Sequence, residues 1–152
     1  MHIESEPMFA ATTTMNATPI EVFQYWDDVE SWPLWNSCIL DCSMPAGFCF
    51  GSRGWISTLR GSRRRIHIAH IDYPRSLTIE FPLLFGTLVM ESRFKAQRGY
   101  TEATIEGRFT GPFRSFHKSL YAVEFEQFAK ATLLGLKDAA EFGLNTFNSA
   151  EG

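Results

Sequence analysis

Histidine is the side chain most easily recruited to acid–base or metal chemistry near neutral pH, and the chain carries four: His2, His67, His70 and His117. None stands in an H-x-x-x-H or H-E-x-x-H pattern, so a helical zinc site is unsupported, and no metal or cofactor is expected. His67 and His70 fall three apart in a stretch that reads as one strand. Alternation then sends them to opposite faces, where they cannot chelate together. His70 shares its face with Ile66 and Ile68, which predicts that it points inward. Cys38, Cys42 and Cys49 are odd in number and lack C-x-x-C spacing. They suit neither a disulfide framework nor a structural zinc, and read as small buried apolar groups in a reducing, cytoplasmic setting. No Ser–His–Asp or Cys–His arrangement can be read from spacing.

Two other clusters could act by binding. Trp32 and Trp35 flank Pro33 in DDVESWPLWN; they pack either in a solid core or against a ligand cavity. Arg60, Arg63, Arg64 and Arg65 surround Gly61-Ser62. They could dock an anionic lipid head, an acyl-carrier partner or RNA. The favoured reading is a solvated hairpin tip, where arginines discourage edge-to-edge aggregation. A net charge of −3 and the lack of a glycine-aromatic RNA-recognition signature argue against nucleic acid as a partner.

These residues must be held by a scaffold. At 152 residues, 45% hydrophobic and 20% charged, the chain reads as one domain, 1–152, with no repeat or linker. Such a chain buries roughly 70% of its unfolded surface. Fourteen phenylalanines exceed what a core of this size requires. The start MHIESEPMFAA lacks a signal peptide's basic and apolar regions. The longest apolar stretch, 83–90, is broken by Gly86 and Thr87 and is too short to span a membrane.

Residues 8–15 are threonine-rich and suit a strand. Thr18-Pro19-Ile20-Glu21 is a helix start: a threonine cap, a first-turn proline and a capping-box glutamate. Ile20, Phe23, Trp26 and Val29 give that helix a predicted buried stripe. Pro33 disfavours helical geometry at Trp32, predicting a bend there and a second short helix. Six strands follow, over 38–44, 53–60, 64–72, 77–81, 88–95 and 101–109. Leu77, Ile79 and Phe81 oppose Thr78 and Glu80; Ala103, Ile105 and Gly107 oppose Glu102, Glu106 and Arg108. That period of two predicts antiparallel strands with one wet face. A helix over 115–142 carries Tyr121, Phe125, Phe128, Thr132, Leu136 and Ala139 on one stripe. Lys118, Glu126, Lys130, Lys137 and Glu141 lie on the other.

The pieces T-P-I-E-V-F-Q-Y-W-D-D-V-E-S-W-P-L-W-N, F-G-S-R-G-W, I-D-Y-P-R-S-L-T-I-E-F and G-L-K-D-A-A-E, in this order, resemble the polyketide cyclase/dehydrase and lipid-transport family. That family belongs to the START-like, pollen-allergen-like (SRPBCC) superfamily, and the likeness covers about residues 8–142. The resemblance implies an α+β helix-grip fold, a curved antiparallel seven-stranded sheet (β-α-α-β6-α) wrapped around a long C-terminal helix. It also implies a cavity between them for lipids, sterols, polyketides or other apolar molecules.

With the apolar faces inward, the cavity wall would include Trp55, Leu77, Ile79, Phe81, Leu88 and Met90. Phe94, Tyr121, Phe125 and Phe128 would complete it, with Thr132 on the inner helix stripe, His70 as a polar fixture, and Trp32 or Trp35 closing one end. Ala129, Thr132, Gly135 and Ala139 are small and would leave space. The alternative is that the phenylalanines fill the interior. The first functional expectation is a binder of a small hydrophobic molecule, monomeric or homodimeric, without membrane insertion. The second is a cyclase, aromatase or dehydratase. If polyketide-cyclising relatives are a guide, its acid–base group would be His70, Tyr121, Arg53 or Asp41.

Overall fold

In a computed structural model, residues 7–59 and 63–144 are described. His2, Arg60 and the Gly61-Ser62 turn lie outside the described residues. The order is β1 (Phe9–Met15), α1 (Pro19–Asp27), a 3-10 turn (Val29–Ser31), α2 (Trp32–Trp35) and β2 (Ile39–Ser43). Then come β3 (Arg53–Thr58), β4 (Arg63–Asp72), β5 (Ser76–Leu83), β6 (Gly86–Gln97), β7 (Tyr100–Thr110) and α3 (Arg114–Phe142). The strands form one antiparallel sheet, ordered β1-β7-β6-β5-β4-β3-β2. The sheet curves around α3: this is the expected α+β helix-grip.

Thr18 caps α1 by accepting the Glu21 amide at 3.2 Å, with Pro19 leading the helix. The buried face of α1 is Val22, Phe23 and Trp26, while Ile20 is 57% exposed. At about 100° per residue, Ile20 lies well round the helix from the centre of that triad. The predicted bend at Trp32 also falls elsewhere. Trp32 is helical despite Pro33 (φ −51°, ψ −45°), and the chain breaks instead at Asp28 (φ −95°, ψ 86°). Cys38 and Cys42 are half-buried but Cys49 is exposed, so the expectation of three buried thiols fails for Cys49.

Leu77, Ile79 and Phe81 on β5, Leu88, Met90 and Phe94 on β6, and Ala103, Ile105 and Phe109 on β7 form the inner face. On β4 the alternation is interrupted. Ile68 opposes Ile79, but His70 opposes Thr78, so one extra residue, Ala69, forms a β-bulge. A one-residue slip reverses every later side chain. Ile71 therefore pairs with inward Leu77, and His70 is exposed on the outer face. That corrects its expected inward position, and places it on the same side as His67, whose Nδ1 lies 3.0 Å from Glu80 Oε1.

Helix α3 is held most closely along β1 and β7. Lys137 Nζ donates to the Thr14 carbonyl at 2.7 Å, and Glu141 accepts the Asn16 amide at 2.8 Å. These two members of the charged stripe clamp α3 to the end of β1. Among the described residues, no helix is long and apolar enough to cross a membrane.

Candidate functional site

The elbow explains the paired tryptophans. Both pack edge-on against a third, Trp26, with ring centroids 5.6 Å away for Trp32 and 5.4 Å for Trp35. Trp32 Nε1 donates to the Trp26 carbonyl at 3.0 Å, and Trp35 Nε1 donates to Ser31 Oγ at 3.2 Å. Behind them, Asn36 Nδ2 donates to Thr132 Oγ1 at 2.7 Å, and that hydroxyl donates to the Phe128 carbonyl. Thr132 is thus a tie between elbow and helix. The small residues of α3 do not leave space as expected. Gly135 admits the backbone of Trp35, and Ala129 and Ala139 are fully buried.

What remains between sheet and helix is an internal void of about 10 Å³, lined by Trp26, Trp32, Ile39, Ile56, Ile66, Ile79, Phe81, Met90, Ser92 and Phe128. That is room for at most one water, against roughly 300–1,000 Å³ for a ligand pocket. The preformed cavity expected from the sequence is not open in this state; the phenylalanines fill it. Phe81 packs on Phe125 at 5.2 Å and on Phe128 at 6.0 Å. Of the predicted wall, Ile79, Phe81, Met90, Phe128 and Trp32 line the void. Leu77, Leu88, Phe94, Trp35 and Phe125 are buried but do not line it.

The filling is of a particular kind. The backbone of α3 lies close to β1 and β7 but stands away from β2–β5. Aromatic rings bridge that wider side, and rings can rotate where backbone cannot. On the surface above it lies a groove of about 110 Å³ between Cys38, Thr58, Leu59, Glu124, Gln127 and Phe128. Phe128 lines both groove and void.

Arg64 stands at the rim of this seam. The sequence reads it as part of an exposed arginine tip, but it shares the inner face of β4 with Ile66 and Ile68. Its Nη2 donates to Glu124 Oε2 on α3 at 2.9 Å, and its guanidinium sits 5.2 Å from the Tyr121 ring centroid and 5.5 Å from that of Phe125. The Arg64 Nε–H and the Trp26 indole N–H are buried without an acceptor among the described residues, a costly condition that needs an explanation. Sequence reasoning missed Arg64 in this role, Glu124 and the orphan donor on Trp26. The signal for Arg64 was its even spacing from Ile66 and Ile68.

The other candidates do not converge. Trp55 alternates outward beside inward Ile56 and carries the Arg63 guanidinium 3.8 Å above its ring, so it is not cavity wall. Arg53 and Asp41 are exposed, and with His70 they lie outside the seam. Tyr121 alone of the four acid–base candidates reaches it, half-buried under Arg64. The Cys42 thiol donates to the Val29 carbonyl at 3.3 Å. Burial, aided by the nearby Asp41 and Glu30 carboxylates, pushes it up to about 11, which keeps it a thiol. Among the described residues, no group of three potential metal ligands occurs. A concavity of about 600 Å³ lies beside the Pro74 turn, with Arg93, Lys95 and Glu102 in its walls together with Phe94 from the predicted cavity wall.

The fold recurs in solved structures of low sequence identity. A protein of Thermus thermophilus is 15% identical, with a TM-score of 0.68 over 86% of this chain and 94% of that one. The Bacillus cereus protein XoxI is 14% identical, with a TM-score of 0.68 over 95% and 97%. A hypothetical protein of Helicobacter pylori is 12% identical, with a TM-score of 0.68 over 87% and 86%. Among curated proteins, none matches the chain. At these identities the structural likeness establishes the fold alone. A family model extends further, matching residues 7–141, nearly everything from β1 to the end of α3. By that match, the chain belongs to the polyketide cyclase / dehydrase and lipid transport family.

Proposed function

We propose that the chain, acting as one cytoplasmic domain, binds a single small apolar or amphipathic molecule between the sheet and the N-terminal half of α3. Phe128 is the movable wall. The observation that carries this reading is that Phe128 lines both a surface groove of about 110 Å³ and the void in the aromatic interior. Rotating it would join the two, and the rings of Phe81 and Phe125 could then yield to a ligand. Affinity would come from removing hydrocarbon from water, about 25 cal/mol per Å², offset by the cost of displacing those rings. The Nε–H of Arg64 offers a charge-assisted donor to an acceptor oxygen on the ligand.

The family's description, with polyketide and lipid among its substrates and cargoes, supports a ligand of this class. The alternative, a cyclase, aromatase or dehydratase, needs an acid–base group facing the ligand. His70, Arg53 and Asp41 lie outside the seam and leave Tyr121 as the one candidate at it, which favours binding over that reading.

The test is a titration with a neutral, environment-sensitive apolar dye, on protein whose near-ultraviolet dichroism is retained. Native protein should bind it saturably, one dye per chain. Phe128→Leu should bind about tenfold tighter, and Phe128→Trp more weakly by a similar factor. Identical titrations for all three proteins would refute Phe128 as the entrance.

A further inference from the structure

Strands β5 and β6 are joined by a two-residue turn, Leu84-Phe85, between the paired residues Leu83 and Gly86. Turns of this kind favour asparagine, aspartate and glycine because their backbone enters positive φ. Here the position is held by phenylalanine, Phe85 at φ 60°, an uncommon conformation for a bulky side chain. The strain is not repaid by burial: Leu84 is 74% and Phe85 65% exposed. A locally unfavourable, solvent-facing aromatic points to a use outside the fold.

The turn is braced from behind. His117, buried on α3, lies with its Nε2 2.8 Å from the Leu84 carbonyl, and the Phe85 ring lies 5.6 Å from Phe113. From there an exposed stripe runs from Phe113, just before α3, along its first turns through Phe116, Leu120 and Val123. Their spacing of three and four residues keeps them on one helix face, adjacent to the buried stripe. The antiparallel register brings the start of β4 to this same end of the sheet. Arg65, Arg114 and Lys118 are exposed there, with Arg63 held over Trp55. Among the described residues, the acids at this end include Glu124, paired with Arg64, and Asp41 on the edge strand. A chain of net charge −3 thus gathers cations around its exposed aromatic end.

We propose that this end is a docking face for an anionic lipid bilayer. Leu84, Phe85, Phe116 and Leu120 would enter the headgroup–acyl boundary, and Arg65, Arg114 and Lys118 would lie among the phosphates. Exposed apolar side chains with cations at the same end of the molecule suit such a surface, which rewards both apolar burial and positive charge. A protein partner would require complementary shape, for which the protruding tip offers no recess. The proposal does not depend on an interior ligand, although the Arg64–Glu124 rim of the seam opens onto the same end.

The experiment is co-sedimentation of the full chain with phosphatidylcholine vesicles, with and without added phosphatidylglycerol, at low and high salt. The expected result is binding only to the anionic vesicles, weakened by salt. Phe85→Asn combined with Phe116→Gln should reduce it about tenfold or more. Asparagine accepts positive φ, so this variant should melt no lower than the native protein, separating docking from folding. Arg114→Glu with Lys118→Glu should weaken binding similarly. Absence of binding, or binding undiminished in both variants, would overturn the proposal. So would a native self-associated form that Phe85→Asn/Phe116→Gln dissociates, because the face would then belong to a second copy. Dye titration of the same variants without vesicles reads the interior site separately, and should be unchanged.

Discussion

Gly135 on α3 and Trp35 on α2 are in backbone contact: a Cβ built on Gly135 would overlap the Trp35 carbonyl oxygen. A helix-interior glycine normally costs about 0.5–1 kcal/mol relative to alanine. Here the sign reverses. Gly135→Ala must push α3 from the elbow, straining the Asn36–Thr132 bond beside it. We expect a net loss of about 1–3 kcal/mol in chemical denaturation, as for other overpacked sites. A stabilised variant would mean that the contact is looser than described.

The ion pair between Arg64 and Glu124 ties β4 to the opening half of α3, with side chains 19% and 23% exposed. In a pair this far buried, desolvation offsets much of the attraction, and a glutamine at 124 keeps an acceptor for the guanidinium. Its removal should act on access. Glu124→Gln is expected to speed dye entry severalfold in stopped-flow mixing while leaving equilibrium affinity within about twofold. An unchanged entry rate would show that the pair does not gate the seam.

The Glu141 carboxylate is held below its usual 4.5, chiefly by the Asn16 amide and secondarily by Lys137. A carboxyl whose folded pKa is depressed stabilises fully above its unfolded value, and that contribution disappears as pH falls through the folded one. The clamp of α3 on β1 should therefore weaken below pH 4.5. Glu141→Gln should cost about 1 kcal/mol near neutrality. The gap between native and variant melting curves should close in the acid range. A gap constant with pH would assign the loss to packing instead.

The boundaries of most elements were legible because their signals are local. The Thr18 cap, the alternation of Leu77 to Phe81 and the unbroken stripe of α3 all act within a few residues. Where the reading failed, the cause was a partner distant in sequence. Ile66, Ile68 and His70 look like one face, and only the pairing with β5 exposes the bulge that turns His70 outward. Arg64 looks like one of a surface cluster until α3 supplies Glu124, 60 residues away. Trp55 looks like wall because it is aromatic, yet its neighbour Ile56 takes the inner position.

Sequence by itself determined the architecture and the oily composition of the seam, since periodicity and residue type carry those directly. It left open whether the seam was hollow or filled, because a lined cavity and a packed one have the same composition. Only the tertiary structure decided that. Gly135 lets the elbow close, and the rings of Phe81, Phe125 and Phe128 occupy the wide side of the grip, with Phe128 also lining a groove at the surface.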